Sequence, residues 1–215
     1  PAPPAPATTR VIATTALGGA KALAAALPEG VEADPAAAML RGTRLHLLLE
    51  HLPGTPAGDW PATARAILAG GEGGLPDAQE LADLLAEARE VIEAPELTAV
   101  MSPPADAQVL REVALTAPLP GIGILHGMID RLVVSDSGIH AIDYKTNMQV
   151  PDQPGQVPEG LLRQMAAYRA ALRGIWPDRP LHLSILWTAT RSLMELPDPL
   201  LDRVMAALDQ TAPAS

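Results

Sequence analysis

Asp130, Asp143 and Lys145 are the residues whose types and spacing point most directly to chemistry. They lie in two strand-like runs, residues 127–134 (Gly-Met-Ile-Asp-Arg-Leu-Val-Val) and 139–146 (Ile-His-Ala-Ile-Asp-Tyr-Lys-Thr). Between them Ser135-Asp-Ser-Gly138 reads as a hairpin turn. A hairpin symmetric about Asp136 and Ser137 puts Asp130 opposite Asp143, with Cβ atoms about 5 Å apart on one face. Two carboxylates that near repel each other unless a cation lies between them. Lys145, two residues beyond Asp143, projects to the same face. Asp143 sits between Ala141-Ile142 and Tyr144, a segment apolar enough for a central strand, where an unpaired charge is costly. Two acids and a lysine on one patch of sheet suit a divalent-metal site that handles phosphate. The competing reading is a solvated strand edge.

The elements that must hold this patch are legible around it. Pro35 to Leu52 reads as a helix, with Pro35 in its first turn and Pro53 just past its end. Two more helical stretches follow, near 59–69 and 77–94, and Pro103-Pro104 closes this N-terminal helical part. Strand-like runs come next at 109–117, 124–134 and 139–145. A helix over 158–173, strands at 181–189 and 192–196, and a last helix over 199–210 complete the chain. The order predicts an α/β fold, a mixed central β-sheet flanked by helices. Residues 1–34, rich in Pro, Ala, Gly and Thr, read as a partly flexible linker with a weak helix at 15–27; residues 35–210 read as the domain and 211–215 as a tail.

Other side chains join the candidate site by position. His46 lies on the first strong helix among Leu45, Leu48 and Leu49, so its face turns partly inward, and Gly42 one turn earlier lets another backbone approach. An imidazole there can complete a metal site built from Asp130 and Asp143. Glu50 shares that face and is a lesser candidate, and His51 points elsewhere. Gln164 and Tyr168, four residues apart on the later helix, either pack as core and surface or orient Lys145 or a phosphate. Glu112, on the strand before the hairpin, is either near the acidic patch by alternation or on a solvent edge.

Taken in order, Gly42-x-x-x-His46, Gly127-Met-Ile-Asp130-Arg, Asp143-Tyr-Lys145-Thr and Gln164-x-x-x-Tyr168 resemble the nuclease domain of the RecB family, within the PD-(D/E)XK nuclease superfamily. The resemblance spans roughly residues 38–196 and is nearest to the C-terminal nuclease domain of AddA-type bacterial helicase–nucleases. It implies a restriction-endonuclease-like fold and a Mg²⁺- or Mn²⁺-dependent deoxyribonuclease, more an exonuclease than purely an endonuclease, in double-strand-break repair. It implies metal ligation by His46, Asp130, Asp143 and the backbone carbonyl of Tyr144. It gives Lys145, with the two acids, the catalytic role, and Gln164 and Tyr168 supporting ones; Glu112 joins them as a supporting residue only by its position on the strand. It further implies DNA as substrate, a strand fed by a helicase domain of the same polypeptide, an AddB-type partner subunit, and ATP used only through that helicase. A catalytically inactive DNA-binding or scaffolding module is the alternative.

Composition narrows the classes. The chain has 215 residues and no cysteine, which excludes disulfides, thiolate zinc sites and the four-cysteine Fe–S cluster of some RecB-family branches. Cysteine absence is compatible with a reducing cytoplasm. Aromatic residues are 2% and Phe is absent, so the core must be aliphatic. No run long enough to span a membrane is present. A net charge of −10 argues against strong autonomous binding to nucleic acid. Pro1 in place of Met reads as a piece of a longer chain.

Overall fold

The structure, a computed structural model, describes residues 11–13, 34–119 and 123–211. The linker and weak helix expected within residues 1–34 lie outside the described residues, apart from Asp34 and a short strand, β1 (Val11–Ala13).

Three helices come first. In α1 (Pro35–His51) the Asp34 carboxylate caps the Ala36 amide at 3.0 Å and Pro35 occupies the first turn, where its missing N–H costs nothing. Next are α2 (Trp60–Gly70) and α3 (Ala78–Ile92), the latter capped by Asp77 on the Glu80 amide at 2.9 Å. A single turn, α4 (Thr98–Met101), leads into β2 (Gln108–Leu119), β3 (Gly123–Ser135) and β4 (Gly138–Lys145). Then follow α5 (Glu159–Ile175), β5 (Leu181–Trp187), β6 (Ser192–Glu195) and α6 (Asp198–Thr211).

The strands form one mixed sheet in the order β1-β3-β4-β5-β6, with β2 antiparallel along the other edge of β3. β4 and β5 are parallel, joined by the α5 crossover, and β1 also runs parallel to β3. This is the α/β architecture of a mixed sheet between helices. Its two faces carry separate cores. Leu45, Leu48, Leu49, Leu84 and Val91 of α1 and α3 meet Val133, Ile142, Tyr144 and Leu186 on one face; Leu161, Met165, Tyr168 and Leu172 of α5 meet Leu132, Ala141, Leu183 and Ile185 on the other. Among the described residues no helix is long and apolar enough to cross a membrane.

The hairpin has the expected register: Ser135 faces Gly138 and Arg131 faces Ile142. Gly138 has φ +150°, and a Cβ there would stand 2.9 Å from the Pro180 carbonyl oxygen, so this turn needs glycine twice over. The ladder stops one step short of the Asp130–Asp143 pair. The reason lies on the other edge of β3. The β2–β3 ladder pairs Arg111 with Arg131 and Val113 with Ile129 but omits Glu112–Asp130, and Glu112 takes a left-handed φ of 46°. Ile129 and Leu132, three residues apart, both turn to the α5 core, as do Val113 and Leu110 opposite them. Inward alternation therefore slips by one residue in both strands at once, leaving register intact. The slip frees Asp130 from the pleat and buries Arg131, whose guanidinium donates to the carbonyls of Val100 (2.6 Å) and Met101 (3.0 Å) at the end of α4.

Candidate active site

α1 places His46. Two arginines on this helix tie it to α3: Arg41 to Glu87 at 2.5 Å and Arg44 to Glu80 at 2.7 Å. Gly42 meets the end of β4, and a Cβ on it would stand 3.1 Å from the Thr146 hydroxyl. The expected close approach is thus to a side chain rather than to a backbone. So docked, His46 stacks edge-on against Tyr144, ring centres 5.6 Å apart, and sets Nδ1 3.6 Å from Asp130 Oδ1. Burial alone would lower the imidazole pKa, but the contact and negative charge of Asp130 outweigh it and raise it.

Asp130 uses its second oxygen where the interrupted ladder leaves a donor: Oδ2 accepts the Tyr144 amide at 2.6 Å. Burial would push this carboxyl up, but His46, Lys145 and that amide together hold it below the ordinary range. Asp143, one residue before Tyr144, is 4% exposed. Its Oδ2 pairs with Lys145 Nζ at 2.5 Å and its Oδ1 accepts Gln164 Nε2 at 3.1 Å. Burial, aided by the charge of Asp130, raises its pKa against the pull of Lys145. Burial would lower the lysine's, yet the two carboxylates raise it.

The α5 pair reaches the acid directly through Gln164. Gln164 Nε2 donates both to Asp143 and to the Tyr168 hydroxyl at 3.0 Å, and that hydroxyl donates to the Met128 carbonyl at 2.6 Å. Tyr168 is 1% exposed, so its ring is core and its oxygen is a strut between α5 and β3. The ring of Tyr168 packs as core, and the polar end of Gln164 is half-buried against Asp143 rather than exposed.

The sequence profile of the PD-(D/E)XK nuclease superfamily matches residues 20–207. The chain belongs to this superfamily. Among solved structures it is similar to "Crystal structure of SSO0001", at 13% identity over 85% of this chain and 89% of that one, with a TM-score of 0.31. No curated protein matches the chain.

Nucleases of this superfamily generally use divalent metals, and here the donor chemistry fits one: two carboxylates and an imidazole, with the Tyr144 peptide between Asp143 and Lys145, suit a hard cation. Among the described residues, though, no three His, Asp or Glu side chains stand close enough together as they are to hold an ion. Each oxygen of Asp143 already has a protein partner, whereas Asp130 Oδ1 and His46 face an open cleft of about 330 Å³. Thr43, Leu47, Glu50, Glu112 and Met128 complete its lining. Glu112 is therefore both solvent-exposed and beside the acidic patch; partial burial and the charges of Asp130 and Glu50 raise its carboxyl pKa. His51 turns out to solvent beside Glu50, as its helical position dictates. Thr43, Leu47 and Met128 were missed as lining residues. Thr43 and Leu47 flank His46 one turn apart on α1, and that spacing alone would have found them.

Proposed function

We propose that the chain is a metal-dependent DNA nuclease domain of the AddA type, cleaving phosphodiester bonds in strands delivered by a helicase. The observation that carries this reading is the Asp143–Lys145 pair, held at 2.5 Å with side chains 5% and 12% exposed, within electrostatic reach of Asp130 and His46, which line the cleft. A buried lysine beside a buried carboxylate is expensive to maintain without a use for both. The D-x-K letters of the superfamily name match Asp143-Tyr144-Lys145, and Ile129-Asp130 stands where the name has P-D.

In this reading His46, Asp130, Asp143 and the Tyr144 carbonyl hold Mg²⁺ or Mn²⁺. When bound there, the ion would supply Lewis acidity toward a water and toward the scissile phosphate. Lys145 sets a positive charge where negative charge grows on the phosphate oxygens. Gln164 and Tyr168 hold Asp143 at a constant angle, and Glu112 adds negative charge at the mouth of the cleft. The Gln-x-x-x-Tyr helix and the RecB-like motif order support DNA over a small phosphoester. The helicase, an AddB-type subunit and the exonuclease preference rest on the resemblance.

The test is cleavage of end-labelled single- and double-stranded DNA with Mg²⁺ or Mn²⁺, using the wild type beside Lys145→Ala and Asp143→Ala. Metal-dependent cleavage lost in both variants supports the reading. Cleavage at the wild-type rate by Asp143→Ala would falsify it.

A further inference from the structure

Glu87 of α3 belongs to none of the four motifs, yet it joins the helix that carries His46 to the strand end that carries Lys145. Its Oε2 accepts Arg41 Nη2 at 2.5 Å, five residues before His46 on α1. Its Oε1 accepts the Thr188 hydroxyl at 2.9 Å. Thr188, 2% exposed, opens the turn between β5 and β6, and its amide donates to the carbonyl of Lys145 at 3.0 Å. That bond lies one step past the last β4–β5 ladder pair, Lys145–Trp187. One helical turn on from Glu87, Glu90 pairs with Arg191 at the far end of the same turn, where Arg191 takes a left-handed φ of 53°. α3 thus grips both ends of the turn whose first amide fixes the Lys145 peptide.

The neighbouring Arg44–Glu80 pair supplies an internal comparison. It also ties α1 to α3, but the remaining bonds of Arg44 go to the loop carbonyls of Gly73 and Gly74, and none reaches the sheet. Both pairs brace the helices; Glu87 alone also reaches Thr188 and, through it, Lys145. A strand end is free to shift where its ladder stops, and Lys145 is the last residue of β4. Both oxygens of Glu87 are engaged, one from each side of the gap between α1 and the sheet, so its position fixes the width of that gap.

We propose that Glu87 is a positioning residue for the site, acting through Thr188 on the Lys145 peptide and through Arg41 on the His46 helix. The proposal rests on the nuclease reading of Lys145 and His46. A misplacement of about 1 Å in a reacting constellation costs on the order of a hundredfold in rate. Loss of one strut should therefore lower kcat by about ten- to hundredfold and leave KM for DNA unchanged, since neither Glu87 nor Thr188 faces the cleft.

The experiment compares single-turnover DNA cleavage, thermal stability and amide exchange at Thr188 in the whole chain and four variants. Glu87→Ala and Thr188→Val should lose kcat at constant KM and exchange the Thr188 amide faster. Thr188→Ser, which keeps the hydroxyl, should restore both to near wild type. Glu80→Ala should lower Tm comparably while cleaving at the wild-type rate. A Thr188→Val protein that cleaves like wild type, or an equal loss of kcat in Glu80→Ala, overturns the proposal. A wild type that fails to cleave with either metal removes the nuclease reading and this proposal with it, an outcome distinct from failure of the strut alone.

Discussion

Removing Asp143 should destabilise the fold, and the size and pH dependence of the loss follow from its partner. Asp143 and Lys145 stand 2.5 Å apart with side chains 5% and 12% exposed. Charges at that distance attract by about 7 kcal/mol at an effective dielectric of about 20, before the cost of drying both is subtracted. Asp143→Ala removes the attraction but leaves the lysine buried beside Tyr168 and without its nearest carboxylate, a change that typically costs about 3–5 kcal/mol. For a chain of this size that is a Tm loss of roughly 6–20 °C. Relief of repulsion with Asp130 is a smaller effect, because Asp130 is already held by His46 and the Tyr144 amide.

The sign with pH is specific. In the wild type the Lys145 pKa is raised above its ordinary 10.5, so its stabilising contribution is complete at neutral pH and is lost only as pH climbs through that raised value. In Asp143→Ala the burial that lowers this pKa loses its main opponent. The folded variant then binds its proton less tightly than the unfolded chain, and its stability rises as pH approaches 10. Urea unfolding of both proteins at pH 7, 8, 9 and 10, without metal, is the assay. The deficit should be largest at pH 7 and shrink at each step. A deficit under about 1 kcal/mol at pH 7, or one that grows with pH, refutes the idea that Lys145 depends on Asp143.

Calorimetric Mn²⁺ titration should separate the lysine from the ligands: Lys145→Ala frees Asp143 Oδ2 and keeps or raises Mn²⁺ affinity, while its cleavage falls about a hundred- to thousandfold. Asp143→Ala should lose both together, and loss of Mn²⁺ by Lys145→Ala would show that the lysine's role is structural. His140 is half-buried against Ser184 and His182, and burial followed by the His182 charge lowers its pKa to about 4. A lowered folded pKa stabilises above the unfolded value of about 6.5 and loses that stability as pH falls to about 4, at most about 3 kcal/mol. His140→Gln should flatten the chemical-denaturation profile over that window, and an unchanged slope contradicts the assignment. The isolated chain should bind DNA weakly at physiological salt, because its net charge is −10 and Arg41, Arg44, Arg89, Arg163, Arg169, Arg173 and Arg191 are all spent on Asp or Glu partners. Submicromolar affinity by fluorescence anisotropy would contradict the need for a delivering partner.

What could be read from the chain was local, and what could not was long-range. Pro35 after a capping Asp34 marks the start of α1, and Ser135-Asp-Ser-Gly138 sets the hairpin register, but the ladder ends at Arg131–Ile142, before the expected Asp130–Asp143 pair, and Asp130 turns to the Tyr144 amide while Asp143 accepts Gln164. Strict alternation failed at Glu112 and Asp130, where both strands slip together. A period-2 pattern read on either strand shows only a missed beat, and the cause is a left-handed residue, Glu112, that is neither Gly nor Asn. The slip is also what makes the site. Without it Asp130 would point into the pleat and pair with Asp143; with it, Asp130 reaches the Tyr144 amide and faces His46 across the cleft. The Glu87–Thr188 contact joins residues 101 apart in sequence, and nothing in the composition or spacing of either segment announces it. Motif residues were found because each recurs at a short fixed interval; the residues that hold the motifs together meet only once the sheet has brought β5 against β4 and α3 over its end.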